Sequence, residues 1–561
     1  MAADRPDESA PRTDGHAPLL WLAVPLVWGY ILAHTLGGAL PVWGLAALGL
    51  AVGAAALVLT CREGWFVRPV WGFLILTAGV LLAWAYYLVR EPSSAPVGDF
   101  IPREGEVVLE VGRLFQTNPK YARISGLGTI VTSPAWRPQL AGQAVAFSLW
   151  TEGIEEGGIL PGALIRARGK IARLDTKPDL NDFEQYLVNS GYPLQLSQGS
   201  LLGVERPAGA FRQWCRSVNR RLAGALGEGA VSPDTRALAG VATAMFLGDK
   251  AALGREQKET FIASGTMHLF AVSGLHVGII AGTLALALRL VRVSGPVAAV
   301  VGLGLLFFYV QVIGVPPSAL RAFLMVAFYW GAQVVRRKPA PFSALLASAV
   351  AVLLIDPRQL FGAGFQLSYL IVAALLLYAV PLTEWANARL DPYRLIPLNS
   401  LRRWQRFLRW AMRGLNASLA VSATAFIFAT PLTVAYFHIF APGAIFLNLI
   451  LVPLATGVIV LALVSGVLGL AGAGAVCVWI NTLSWAVVWE MWTVVSAAVA
   501  VPGGFWQARF AHEWLAPLTT LLLLGSLLVV ARRARTRPVV YLLPVVILAP
   551  VLVFGVNFAK L

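Results

Sequence analysis

Residues 268–278 read HLFAVSGLHVG inside a long apolar run. His268, Ser273 and His276 are the groups there that could do chemistry, and four roles compete. A metal site would need further ligands, yet no Asp, Glu or Cys lies nearby in sequence. A Ser–His hydrolytic site would need a nucleophile elbow and an orienting acid, and AVSGL is not G-x-S-x-G. The groups could instead hydrogen-bond between helices, or line a pore or gate, since polar side chains at membrane depth mostly face a bundle interior or a water-filled path. On one ideal helix His268 and His276 stand about 80° apart. Ser273-Gly274 in mid-span invites a kink or a broken helix, which would change that angle.

Other polar residues occupy apolar runs. GVPPSALRAFLMV (314–326) places Arg321 near the start of a span, after a Pro-Pro turn. DPRQLFGAGFQLSYL (356–370) carries Gln366 and Ser368 into the next one. PLTVAYFHIFAPGAIFLNLILVPLATG (431–457) holds His438, then Asn448 and Pro453 in a pattern that predicts a discontinuous helix. Polar groups in broken spans, on one side, favour a translocation path over simple packing.

The elements that position these residues follow from composition. The chain has 561 residues, 58% hydrophobic and 13% charged, with mean hydropathy +0.71. Soluble domains are nearer a quarter charged, so this is a polytopic membrane protein. Apolar runs long enough to span occur near 19–37, 41–60, 70–89, 261–288, 295–314, 319–335, 340–355, 364–382, 415–437, 442–470, 474–500, 514–531 and 538–557, about 13 spans. The first 17 residues are polar without a basic n-region, so the run at 19–37 reads as a retained span. The three cysteines, Cys61, Cys215 and Cys477, have neither metal-ligand spacing nor a disulfide framework.

The formal charge of +16 sits mostly in short loops: 289–294, 336–338, 383–414 and 532–537. With CREGWFVRP (61–69) in the cytoplasm, every basic loop also falls inside. The N-terminus is then cytoplasmic, and residues 90–206 and the C-terminus external. Segment 98–206 has 11 basic and 12 acidic residues. Its strand-type alternation and Gly/Pro punctuation predict a small external all-β domain, with the OB-fold a natural candidate. Residues 211–226 (FRQWCRSVNRRLAGAL) align Phe211, Trp214, Cys215, Val218, Leu222 and Leu226 on one helical face, the pattern of a helix lying in a membrane interface. The expected order is a cytoplasmic tail (1–18), three spans (19–89), the OB-like domain (90–206), interfacial helices (207–260) and a channel core (261–561).

FIASGTMHLFAVSGLHVGI resembles the signature of the ComEC-type competence DNA-uptake channels. LNDFEQYLVNSGY (180–192), ALAGVATAMFLGDK (237–250), PPSALRA, DPRQLFGAGFQLSY and the 431–457 stretch are similar, in order, to other motifs of that family. The resemblance implies an inner-membrane channel passing single-stranded DNA to the cytoplasm. Its path would use His268, Ser273, Gly274, His276, Ser318, Arg321, Asp356, Gln366, Ser368 and Asn448, with Arg321 a phosphate contact. The external domain would guide the strand, with Lys120, Tyr121 and Arg123 of NPKYAR as contacts. Many family members carry a metallo-β-lactamase-like nuclease domain. This sequence shows no H-x-H-x-D-H-like cluster, so the expectation is a form without that domain: no enzyme, no metal, no cofactor. The implied partners are single-stranded DNA, the lipid bilayer, a DNA receptor, a separate nuclease and a cytoplasmic motor. The alternative is a transporter of another solute or envelope polymer built on the same core.

The loop charges generate a direct test. A cysteine placed at Ser400 should escape membrane-impermeant maleimide in intact cells and react only after permeabilisation. Labelling from outside would reverse the orientation.

Overall fold

The computed structural model describes residues 18–38, 40–59, 67–90, 100–115, 122–151, 159–174, 182–270, 272–394, 396–501, 503–534 and 536–560. In chain order the helices α1 (Leu20–Leu36), α2 (Val42–Leu59) and α3 (Val67–Arg90) come first. Then follow β1 (Arg103–Phe115), β2 (Arg123–Thr132), β3 (Ala144–Trp150), β4 (Leu164–Arg173), α4 (Asp182–Asn189) and β5 (Leu194–Arg206). Next are α5 (Ala210–Gly227), α6 (Pro233–Leu247), α7 (Arg255–Ala263), α8 (Gly274–Leu290), α9 (Gly295–Val312), α10 (Pro317–Val334), α11 (Pro341–Ile355), α12 (Ala363–Ala374) and α13 (Val380–Leu390). The remainder is α14 (Arg403–Phe437), β6 (Ile439–Phe440), α15 (Ala444–Leu470), α16 (Gly474–Val499), β7 (Trp506–Phe510), α17 (Leu515–Arg533), α18 (Leu543–Phe554) and β8 (Val556–Lys560).

Among the described residues eight helices are long and apolar enough to cross a membrane, and shorter apolar helices include Leu20–Leu36, Gly274–Leu290 and Pro341–Ile355. The apolar runs therefore do not map one to one onto long helices. The run at 261–288 is divided between α7, a 3₁₀ turn at Met267–Leu269 and α8. α10 has the length, but Ser318, Arg321 and Gln333 lower its apolar content. The chain forms two compact units, residues 1–92 with 340–360, and 93–339 with 361–561.

In the first unit small residues let backbones approach. A Cβ at Gly29 would meet Ala83 Cβ at 2.6 Å, and one at Gly79 would meet Pro25 Cβ at 2.8 Å. α11 ends with consecutive carbonyls that its own helix cannot satisfy. Tyr30 donates to Leu353 O at 3.0 Å, Tyr86 to Leu354 O, and Arg90 Nη2 to Ile355 O at 2.6 Å.

In the second unit the strands close a barrel in the order β1-β2-β3-β5-β4. Alternation decides which side chains enter it. On β4, Ile165, Ala167 and Ile171 are buried while Arg166, Arg168 and Lys170 point outward. The segment is not purely strands. Phe183 and Leu187 of α4 stand four apart, a helical spacing, and Leu187 packs with Leu127, Ala146 and Leu174 on the barrel's outer face.

The helical part of this unit has a core drawn from α5, α6, α8, α9, α10 and α15. Cys215, Val218, Leu222 and Leu226 of α5 are buried in it, so the apolar face expected to rest on a membrane surface packs largely on other helices. Only Phe211 and Trp214 stay well exposed. α15 runs unbroken through Pro453 and α14 through Pro431, so the discontinuous helix expected around Asn448 is absent. One missing N–H is tolerated where neighbouring helices enclose the turn. β6, β7 and β8 form a small sheet beside the end of α14.

The other end of α14 is pinned by Asp391, 4% exposed. Its Oδ2 accepts from Arg409 Nε at 2.7 Å and lies 3.3 Å from Arg413 Nη2, and its Oδ1 accepts from Tyr393 N at 2.9 Å. Desolvation opposes its ionisation, but the Tyr393 N–H and the two guanidinium groups outweigh that and hold the carboxyl below its usual range. A lowered native value stabilises the fold above the unfolded pKa, near 3.9, and this is lost as pH falls through the native value. Asp391→Asn should therefore cost about 3 kcal/mol at neutral pH. Thermal unfolding in detergent checks this, and the gap from wild type should narrow on acidification through that window.

Candidate functional site

The site grows from the way α8 begins. Ser273 has extended backbone (φ −105°, ψ 172°) and His276 is the third helical residue. Ser273 N–H donates to His276 Nδ1 at 3.2 Å, and Ser273 Oγ lies 2.8 Å from the same nitrogen. Histidine here takes the part that Glu or Gln takes in a capping box. Since Nδ1 accepts a backbone N–H, the ring proton of neutral His276 sits on Nε2. That atom is buried and makes no hydrogen bond of good geometry among the described residues, with the Leu269 backbone within electrostatic reach of the ring.

His268 lies elsewhere. It is the exposed residue of the 3₁₀ turn Met267–Leu269, with Nδ1 3.0 Å from Gly265 O. The continuous helix that would have set it about 80° from His276 does not form across Ser273. The non-helical stretch before α8 is held by buried Ser264 and Thr266, whose hydroxyls are 2.7 Å apart, and by Ser318, which donates to Val272 O. Gly274 packs 3.7 Å from Ala322 of α10, measured from an added Cβ.

Arg321 lies one turn beyond Ser318 and is 6% exposed. Its Nη2 donates to Gly364 O at 2.9 Å, while Nε has no partner among the described residues. A Cβ at Gly364 would stand 3.2 Å from Nη2, so glycine lets the guanidinium reach the first turn of α12. Among the described residues no carboxylate pairs with Arg321. Two residues after Gly364, Gln366 Oε1 accepts from Tyr436 at 3.1 Å. Ser368 is half-buried, about 200° around the helix from Gln366. Asn448, on the second turn of α15, has a buried Oδ1 without a partner among the described residues.

His276, Ser318, Arg321, Gln366 and Asn448 thus fall in the first two turns of α8, α10, α12 and α15. These helices start at one end of the bundle. Ser318 ties α10 to the residue before Ser273, Arg321 ties α10 to α12, and Tyr436 ties the end of α14 to α12, beside the start of α15. At the Arg321–Gly364 bond the positive dipole ends of α10 and α12 meet a buried guanidinium that no carboxylate among the described residues neutralises. The chemistry this offers is attraction and hydrogen bonding of an anion. No group of three His, Cys, Asp or Glu among the described residues could hold a metal.

Asp356 is not among these groups. It belongs to the first unit, where Oδ1 accepts from Arg358 N at 3.2 Å and Oδ2 from Gln359 Nε2 at 3.0 Å, closing the turn after α11. Lys120 and Tyr121 lie outside the described residues. Arg123 sits over the Trp150 ring, 5.5 Å from its centroid. Arg113 lies 5.8 Å over Phe115, which meets Phe183 edge-on at 5.8 Å, and Phe183 stacks on Tyr186. Tyr436, Ser264, Thr266 and this aromatic group were not singled out from sequence. Tyr436, Ser264 and Thr266 lay within stretches already of interest, whereas the aromatic group is assembled only by folding.

Comparison with known proteins places these motifs in context. The family model described as "Competence protein" matches residues 245–533. "ComE operon protein 3" of Bacillus subtilis (strain 168) is 27% identical over 294 residues, 52% of this chain and 34% of its own length. "Recombination protein 2" of Haemophilus influenzae is 29% identical over 166 residues (28% and 21%), and "Competence protein ComA" of Neisseria gonorrhoeae 34% over 146 (24% and 21%). The chain therefore spans about a third or less of these curated relatives. No solved structure matches.

The cap geometry makes a graded forecast. His276→Ala removes the acceptor for Ser273 N–H and should lower stability by about 1 kcal/mol, the scale of a lost helix cap. Ser273→Ala keeps that N–H bond and should cost less. Melting in detergent orders the pair, and equal or reversed losses would contradict the assigned cap.

Proposed function

The chain belongs to the competence protein family, and we propose that it is an inner-membrane channel passing single-stranded DNA into the cytoplasm. The observation that carries this is Arg321, buried on the second turn of α10 against the start of α12 with no carboxylate partner among the described residues. Insertion scales put an arginine at a helix centre at roughly +2.5 to +3.5 kcal/mol. A passing phosphate would supply the missing counter-charge, and the planar fork suits two phosphate oxygens. Helix N-termini add positive potential without fixed surface charge, so a polyanion is attracted but not locked.

In this reading the mouth faces outward. The barrel and the β6–β7–β8 sheet are external, and residues 1–18 and the basic loop 383–414 are cytoplasmic, as loop charge requires. The barrel is of OB type, its strand order supporting that assignment. Arg123 with Trp150, and Arg113 with Phe115, Phe183 and Tyr186, offer an incoming strand stacking surfaces beside cations. The chain translocates without cleaving, and a DNA receptor, a separate nuclease and a cytoplasmic motor act around it.

Cells given labelled DNA test the reading. Arg321→Ala should reach the membrane at normal levels and lose most nuclease-protected uptake per immunodetected molecule. Arg321→Lys should restore only part, because an ammonium keeps the charge without the fork. Wild-type uptake by both variants would remove the proposal, and uptake of another polymer in place of DNA would favour a different cargo on the same core. Purified protein with Mn²⁺ or Zn²⁺ should leave labelled DNA intact, and metal-dependent cleavage that copurifies with it would refute the non-enzymatic role.

A further inference from the structure

α14 is too long for the bilayer it crosses. Its uncharged part, residues 414–437, covers about 36 Å at 1.5 Å per residue, enough for a hydrocarbon core near 30 Å. Residues 403–413 continue the helix beyond it. Tyr436, at the far end, bonds Gln366 at the mouth, so this overhang lies at the opposite end of the bundle.

The overhang combines exposed cations with exposed rings. Arg402, Arg403 and Arg406 are exposed, as are Trp404, Phe407 and Trp410 at 56%, 66% and 71%. Arg389 and Arg394, on the adjoining segment, are exposed as well. Asp391 is already committed to Arg409 and Arg413, leaving Glu384 as the other acid of 383–414. Depth separates a lipid anchor from a docking surface. The headgroup layer adds roughly 5–8 Å on each side. Trp410 lies about 6 Å from residue 414 along the helix, within that layer, whereas Phe407 and Trp404 lie about 10 and 15 Å out, in water. Trp404 is edge-on to Tyr393 and Phe407 tilts against Trp410, but both rings stay exposed, and Arg406 is held by Leu401 O and Asn399 O. Exposed rings interleaved with guanidinium groups that no carboxylate among the described residues pairs match what a single strand needs: cations for its phosphates and flat faces for its bases.

We infer that the Arg402–Trp410 overhang of α14 is a receiving platform for single-stranded nucleic acid leaving the bundle. This rests on the channel reading and adds an exit-side binding site to it. Phosphates contact Arg402, Arg403 and Arg406, and bases stack on Trp404 and Phe407. Because α14 runs from mouth to overhang, one rigid element fixes the spacing between the two.

Full-length protein in phosphatidylcholine nanodiscs, irradiated with an oligothymidylate carrying 4-thiothymidine, tests it. Peptide mapping should find adducts within residues 402–410. R402Q/R403Q/R406Q, and separately W404A/F407A, should each cut them at least fivefold and leave barrel adducts unchanged. These side chains are exposed, so the variants should fold, and unchanged melting verifies it. Absence of adducts at 402–410, or adducts that persist in both variants, overturns the proposal. In parallel nanodiscs that also contain phosphatidylglycerol, a variant-sensitive loss of that bound lipid with oligonucleotide adducts unaffected also overturns it, and would make the overhang a lipid anchor. Nuclease-protected uptake is scored in parallel. Wild-type cells that take up no DNA remove the channel reading and this platform together, whereas normal uptake without overhang adducts removes the platform alone.

Discussion

A helix that starts in a low-dielectric layer leaves its first N–H groups without acceptors, and the second unit is arranged around that constraint at Gly274. Ser273 turns the chain, His276 accepts its N–H, and Ser318 holds the preceding carbonyl. The cap fixes the tautomer of His276 and leaves Nε2 buried without a well-formed hydrogen bond among the described residues. Ser318 joins α10 to the residue before Ser273, and one turn further on Arg321 reaches Gly364 on α12.

The first unit solves the mirror problem. α11 stops with free carbonyls, and Tyr30, Tyr86 and Arg90 supply donors to Leu353, Leu354 and Ile355 in turn. Asp356 then closes the following turn through Arg358 and Gln359. Its conspicuous position after an apolar run is accounted for by this local capping. A motif residue can thus have a complete structural explanation, while Arg321 and Asn448 each keep a buried atom that no described residue satisfies.

Much of this was legible in sequence because it depends on local pattern. Apolar runs marked most of the helices, alternation marked the strands, and the Pro-Pro turn marked the start of α10. The break at Ser273-Gly274 was legible, since a polar pair in mid-span invites it, and the Ser273 cap is what stops the helix from running through to His268. The errors have physical causes. Pro453 looked like a break, but enclosure by neighbours lets α15 continue. α5 showed its apolar face correctly, though periodicity cannot say whether lipid or protein covers it, and here other helices cover most of it. The pairing of Tyr436 with Gln366, 70 positions apart, and the Phe115–Phe183–Tyr186 group have no local signature at all.

The account stands or falls on whether a strand passes the starts of α8, α10 and α12. A photo-crosslinking amino acid at position 366, in cells actively taking up labelled DNA, reads this directly. The account predicts a covalent adduct with DNA that disappears in the Arg321→Ala background. Uptake at the wild-type rate with crosslinks to lipid or protein alone would contradict it.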